Sequence, residues 1–225
     1  MSEERWFQQI DLGGGEVHPG QLSRESMLLR FEPALPDFAG KRVLEMGCAE
    51  GFYSFLAEER GAQHVAAFDV VESVIARAKY AAERRHSKVA FFKDDADIWR
   101  HDDTKFDLVL CLGLIYHLRN PLGCLEWICK LLAPGGQAVI ETALLDNSED
   151  VPEFGKVDYA VPYPMMRFWR GKEYNGDDSN WWTPNEACMM AMFDSAGFEV
   201  IKGGTFYALN TKHRRGSWLV KAKAE

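Results

Sequence analysis

Nowhere in the 225 residues does an apolar run reach the length needed to cross a bilayer. The opening MSEERWFQQID holds no apolar core of the kind found in secretory leaders, so no signal peptide is expected. Cysteine is scarce and odd in number: Cys48, Cys111, Cys124, Cys129 and Cys188, with no CxxC spacing. That excludes a disulfide framework or a zinc-knuckle pattern and reads as reduced thiols in a cytoplasmic protein, with no metal site expected. Basic residues are outnumbered, 26 Lys and Arg against 34 Asp and Glu, for a formal charge of −8. Nucleic-acid binding draws on phosphate neutralisation, so this balance speaks against an extended phosphate track. Two short basic runs remain: Arg84, Arg85, His86 and Lys88, then Lys212, His213, Arg214 and Arg215. Each reads either as a local patch or as a solvated face or helix end. Repeats and low-complexity tracts are absent too. What is present is a globular composition, 47% hydrophobic, in a chain long enough for one sizeable α/β domain.

Strand-like and helix-like runs alternate. Strands are expected at 42–46, 64–69, 89–92, 106–112, 137–142, 199–203 and 217–221, and helices at 51–60, 72–85, 121–132 and 184–196. The run FDLVLCL is apolar throughout, as a strand buried on both faces would be. Alternation of this kind predicts a largely parallel sheet covered by helices on both sides. Pro134-Gly135-Gly136 marks a turn, and Thr183-Pro184-Asn185-Glu186 predicts a helix start with Thr183 as N-cap. Residues 1–40 precede the first of these strands, with one or two helices expected over 21–36, and read as a helical cap or lid on a main domain of 41–225. Residues 143–182 form an inserted arm, too long for a structureless loop. The arm concentrates Tyr159, Tyr163, Phe168, Trp169, Tyr174, Trp181 and Trp182 with Arg167, Arg170 and Lys172. Such a set either walls a pocket for a flat or anionic substrate or forms a local core that holds the arm together.

The segment VLEMGCAEGFYSF carries the most information. A hydrophobic strand ends in Glu45; small residues Gly47, Cys48, Ala49 and Gly51 follow; then a helix opens. Strand, glycine-bearing turn and helix bring a nucleotide-like ligand against bare backbone. The spacing E-x-G-x-A-x-G is not the dinucleotide fingerprint, and Glu45 would repel a phosphate while accepting hydrogen bonds from an ammonium. A ligand with an amino-acid part and a nucleoside, such as S-adenosylmethionine, meets that description. Other strand ends add to the set. Asp69 can accept ribose hydroxyls, Asp95 beside Ala96 can take an adenine amino group, and Leu112-Gly113 lets backbone approach the ligand. A nicotinamide oxidoreductase is the contrasting class, disfavoured by the loop spacing and Glu45. A catalytically silent partner subunit of the same fold is another, disfavoured by the intact acids.

Methyl transfer from a sulfonium is an in-line displacement, so an enzyme must place the nucleophile and exclude water. Removing a proton from a hydroxyl acceptor helps, and His117, just after the fourth strand, is the candidate base. The same histidine could instead fix its loop by hydrogen bonds. Tyr116 either lines the methyl site or packs. His18, Trp6 and Phe7 are candidates for a closing lid, or for surface and anchoring roles.

The motifs VLEMGCAEG, VAAFD, FFKDDADIW, FDLVLCLGLIYHL, LLAPGG and SAGFEV together resemble the class I S-adenosylmethionine-dependent methyltransferases. The resemblance is close over residues 40–142 and looser beyond. It implies a Rossmann-like three-layer sandwich whose seven-stranded sheet has the order 3-2-1-4-5-7-6, with strand 7 antiparallel. It also implies that Glu45, Gly47 and Gly51, with Cys48 and Ala49 in the same turn, hold the methionine part of the cofactor. Asp69 would hold the ribose, Asp95 and Ala96 the adenine, and S-adenosylhomocysteine would be the product. A finer likeness lies in GLIYHLRNPLGCLEWI, WFQQIDLGGGEVHPG and NWWTPNEACMMAMFDSAGF, which are similar to the tRNA wobble-uridine methyltransferase-like group. Some of its members transfer a carboxymethyl group from carboxy-S-adenosylmethionine, and Tyr116 and Arg215 match residues that contact the extra carboxylate. The tRNA-modifying members carry a long N-terminal extension not seen here, and a lysine where this chain reads EVHPG. The expectation is therefore methyl transfer to a hydroxyl or amine of a small molecule held by Tyr116, Tyr163, Arg167, Trp169, Trp182 and Arg215, with tRNA and carboxymethyl transfer as the alternative.

Overall fold

The structure, a computed structural model, describes residues 5–31, 34–98, 104–151, 155–207 and 213–223. Lys212, of the second basic run, and Trp99, of the FFKDDADIW motif, lie outside them.

The chain opens on four short strands, β1 (Trp6–Gln8), β2 (Ile10–Gly13), β3 (Glu16–His18) and β4 (Gly20–Leu22), followed by α1 (Arg24–Phe31). The helix expected within 21–36 is α1, while the four strands ahead of it were not expected. Trp6, Gln8, Ile10 and Leu12 are all buried while Phe7 and Asp11 are exposed, a period of two that belongs to strands. Gly13, Gly14 and Gly15 all have positive φ and turn β2 back onto β3. Trp6 stacks on His18, ring centroids 4.0 Å apart, so His18 belongs to this small layer.

The central sheet follows. β5 (Arg42–Met46), α2 (Phe52–Glu59), β6 (His64–Asp69), α3 (Glu72–Arg85), β7 (Ala90–Lys93) and β8 (Phe106–Leu112) form its first half. A 3-10 turn at Ile115–His117 leads to α4 (Pro121–Leu131) and β9 (Leu132–Ala143). The arm contributes two hairpins, β10 (Ser148–Val151) with β11 (Gly155–Asp158), and β12 (Met166–Phe168) with β13 (Trp182–Pro184). Then come α5 (Glu186–Ser195), β14 (Phe198–Tyr207) and β15 (Arg214–Ala222). The seven-stranded sheet runs β14-β15-β9-β8-β5-β6-β7. It is mainly parallel, with β15 antiparallel to both β9 and β14.

Strand alternation divides the core. Val43, Leu108 and Leu110 face α1, α2 and α3, and Leu44, Val109 and Cys111 face α4 and α5, giving three layers. The Pro134-Gly135-Gly136 turn lies inside β9. Leu132 pairs with Phe106 and Gln137 with Leu108, so residues 133–136 bulge out of the ladder. The cap of α5 differs from expectation. Thr183 and Pro184 belong to β13, and Asn185 is the N-cap, its side chain accepting from the Cys188 amide. Pro184 lacks an N–H to lose and suits the end of a strand, while Asn185 Oδ1 also accepts from the Met165 amide and so ties the arm to the helix. Among the described residues no helix is long and apolar enough to cross a membrane.

Candidate active site

A cavity of about 490 Å³ opens beyond the carboxyl ends of β5, β6, β7 and β8. Gly47, Ala49, Asp69, Asp95, Ala96, Leu112, Tyr116 and His117 line it, brought together from four successive strand ends. Gly47 has φ +71°, and a Cβ there would meet the Leu114 side chain at 3.0 Å. Ala49 adopts φ +48°, a left-handed conformation that costs an L-residue about 1–2 kcal/mol. Its amide donates to Asp69 Oδ2 at 3.1 Å and the Val71 amide to Asp69 Oδ1 at 3.0 Å, so one carboxylate fixes both turns that flank it.

Three residues of the expected cofactor set do not line the cavity. Gly51, φ +90°, caps α2, and a Cβ would lie 2.5 Å from the Phe91 ring; its lack of a side chain serves packing. Cys48 is fully buried in the layer beneath α2, and burial pushes its thiol far up. Glu45 is also fully buried, because alternation along β5 sends its side chain toward α2, where Ser54 Oγ donates to it. Burial lifts its pKa to about 8, against the lowering effect of the Ser54 bonds, so it is protonated at neutral pH. A carboxyl raised in the fold contributes stability that is whole below the ordinary value of 4.5 and is lost as pH rises through about 8. Glu45→Gln, uncharged throughout, is therefore expected to hold its melting temperature at alkaline pH better than the wild type. Melts at about pH 6 and about pH 9.5 check this; parallel losses in the two proteins would exclude a buried acid at this position.

Next to the cavity lies a charged cluster of Glu141, Arg215 and Arg30, of which sequence reasoning singled out only Arg215. Glu141, at the end of β9 and wholly buried, accepts from Arg215 Nη2 at 3.0 Å and Arg30 Nη2 at 2.9 Å, and also from Arg215 Nε. Burial alone would raise this carboxyl, but Arg215 and then Arg30 outweigh it and hold it below the usual range. Arg215 in turn stands over the Tyr116 ring, 5.0 Å from its centroid. The only sequence signal for Glu141 was an acid at a strand end, in QAVIET.

His117 has a defined tautomer. Ser179 Oγ donates to Asp177 Oδ1 at 2.7 Å and so accepts from His117 Nδ1 at 2.9 Å; the Ser179 carbonyl is also 3.2 Å from Nδ1. The proton therefore sits on Nδ1 and Nε2 is left as an acceptor. Burial is the main cause lowering the imidazole below its usual 6.5, which keeps it neutral near pH 7. Below it, Asp97 accepts from the amides of Arg119 and Asn120 and fixes the loop that follows.

The N-terminal segment covers the same cavity through Phe7, Gln8, Met27 and Arg30. Glu50, another residue not singled out in the sequence, pins it: the carboxylate accepts from the amides of Phe7 and Gln8, each at 3.1 Å. The arm is divided. Trp169 and Tyr174 pack on Ala143 and Tyr116 as a small core, with Trp169 Nε1 donating to Thr183 Oγ1 at 2.8 Å. Trp169 and Tyr159 also line a second cavity of about 340 Å³. Arg167 stacks on Trp169 and pairs with Glu149, Trp182 packs against Phe168, and Tyr163 is exposed; none of the three lines the main cavity. From the arm, Ser179 does.

A family model described as a methyltransferase domain matches residues 21–202. A tRNA U34 carboxymethyltransferase of Idiomarina loihiensis is 27% identical over 177 residues, 76% of this chain and 50% of that protein. A ubiquinone biosynthesis O-methyltransferase of Coxiella burnetii is 32% identical over 128 residues, 57% of this chain and 54% of that protein. The chain spans about half the length of the curated relatives it matches. The crystal structure of an S-adenosylmethionine-dependent methyltransferase from Mesorhizobium loti aligns with a TM-score of 0.65 at 16% identity, over 93% of this chain and 99% of that one. At that identity the likeness is one of fold.

Proposed function

Because the chain belongs to the methyltransferase-domain family and resembles its tRNA wobble-uridine group, we propose that it moves a methyl group from S-adenosylmethionine to a hydroxyl or amine of a small molecule. The observation that carries this reading is the cavity at the carboxyl ends of four parallel strands, with the Asp69 and Asp95 carboxylates at its wall. These groups fit the cofactor's chemistry. Ribose hydroxyls and an adenine amino group are donors, and the two carboxylates are acceptors. Gly47, bare of a side chain and lining the cavity, lets a ligand approach the backbone. When bound, the cofactor supplies an electrophilic methyl group on a sulfonium.

The chain's own residues do the rest. His117 Nε2 accepts the acceptor's proton, while Ser179 and Asp177 hold the ring by Nδ1. Tyr116, backed by Arg215, forms the wall beside it. In this reading residues 1–40 act as a cap that excludes water and residues 143–182 as an arm that borders the acceptor. The five free thiols suit the reducing cytoplasm.

A second reading is favoured by the relatives' names and by Arg215 over Tyr116: carboxymethyl transfer from carboxy-S-adenosylmethionine to tRNA. Two features weigh against it. Arg215 is already committed to Glu141, and the other arginines of the two basic runs are also paired, Arg84 with Glu16, Arg85 with Glu59 and Arg214 with Glu186.

Calorimetry is expected to detect binding of S-adenosylhomocysteine and none of NAD; the reverse pattern would sink the methyltransferase reading. Filter binding of unmodified tRNA at two salt concentrations separates the two acceptors. Sub-micromolar binding that weakens steeply with salt would promote the tRNA reading.

A further inference from the structure

The second cavity, of about 340 Å³, lies within the arm and shares no lining residue with the main one. On sequence alone the arm's aromatics and cations suited a flat or anionic substrate. The structure turns the charge the other way. Asp146, Glu149 and Glu173 line the cavity, and among the described residues no Lys or Arg does. Arg167 pairs with Glu149 and Arg170 with Glu173 from outside the lining, which leaves one negative charge over with His213 neutral (three against two). The aromatic walls are built into the fold: Tyr159 and Trp169 are each 8% exposed and Tyr174 is 4% exposed. Arg167 stands over the Trp169 ring, 3.8 Å from its centroid, so this wall already accepts a cation. The Tyr159 hydroxyl donates to Glu149 Oε2 at 3.4 Å and joins aromatic wall to carboxylate. The Tyr174 hydroxyl is buried without a hydrogen-bond partner; the Asn175 side chain lies near it and does not reach bonding geometry. Burial pushes this hydroxyl up to about 12, so it stays protonated, a donor in want of an acceptor.

We propose that the arm cavity is a binding site for a small organic ammonium ion, its charge toward Glu149 and its apolar body against Leu144, Leu145 and Tyr159. Its volume falls in the lower part of the range for small-molecule sites, and apolar walls with a few convergent polar groups are what such sites carry. A ligand oxygen that accepts from Tyr174 would complete the wall. The inference goes beyond the methyl-transfer reading and does not depend on it. It bears on the active site through packing. Trp169 and Tyr174 rest on Tyr116, which lines the main cavity, so an occupied arm cavity braces that wall.

The test is calorimetry on the full chain with three probes of one shape: phenethylamine, 2-phenylethanol and phenylacetate. At about pH 8 an alkylammonium is charged and an imidazole ordinarily neutral. Phenethylamine is expected to bind about tenfold or more tighter than the alcohol, as for a charge-assisted contact, and phenylacetate not to bind. Glu149→Gln should bring the amine down to the level of the alcohol and leave the alcohol unchanged. Arg170 is exposed, so Arg170→Glu keeps the fold if Glu149→Gln does not; it adds negative charge at the mouth and should tighten the amine about twofold to threefold at low salt. Equal binding of amine and alcohol would overturn the proposal and leave an apolar hole. Tighter binding of phenylacetate would overturn it and restore an anionic occupant. Amine affinity untouched by both substitutions would also overturn it and place the amine among the carboxylates of the main cavity. No binding of phenethylamine by the wild type would end the proposal outright.

Discussion

Glu141→Ala is expected to destabilise the fold by about 3–5 kcal/mol, among the larger effects open to a single substitution in this chain. The wild-type carboxylate is wholly buried and holds two arginines, of which Arg215 is itself buried. Removing it leaves two guanidinium groups with no counter-charge in a low-dielectric layer, and the penalty of an unpaired buried ion exceeds the modest worth of the pair itself. Urea unfolding checks this; a loss under about 1 kcal/mol would mean that water reaches the cluster. The pH dependence has a definite sign. The folded carboxyl is held below its usual 4.5, so its contribution is present above that value and is lost as pH falls through the lower one. The variant should lack this acid-side decline.

His117→Ala is expected to lower turnover by about 10²–10⁴-fold, the range for a general base, while S-adenosylhomocysteine affinity changes little. The unmodified enzyme should keep its activity to below pH 6.5, because burial lowers the imidazole and only the neutral ring accepts a proton. Unchanged turnover on the acceptor would leave His117 as a loop anchor through Ser179. A fall in affinity equal to the fall in rate would place it in cofactor binding instead.

Much of the sheet was legible from local pattern. Arg42–Met46, His64–Asp69, Phe106–Leu112 and the helix Glu72–Arg85 have the bounds read from hydrophobic periodicity. Buried parallel strands leave continuous apolar runs, and helices between them leave a 3.6 period, so both signals are local. The N-terminal strands were less legible. Runs of three or four residues give periodicity too little length to register, and β1 pairs in parallel with β4 across the intervening β2–β3 hairpin, which no local pattern signals. The α5 cap was misread because Thr, Pro and Asn in succession all suit a helix start. The choice fell to the β12–β13 pairing, which draws Thr183 and Pro184 into a strand.

By itself, the sequence determined the alternation of strands and helices, the glycine turn at 47–51 and the acids at the strand ends, because each depends on neighbours within a few residues. Tertiary structure alone decided which of those groups face the cavity. Gly47, Ala49, Asp69 and Asp95 do; Glu45 lies one pleat away and turns its carboxyl to Ser54 on the opposite side. It also decided the charge of the site. Arg30 and Glu141 are 111 residues apart in the chain, and Arg215 and Glu141 are 74 apart. No local pattern links them. They meet because a cap helix, a central strand and the antiparallel strand beside it converge at one end of the sheet, and a buried carboxylate is stable there only with cations that the fold itself brings to it.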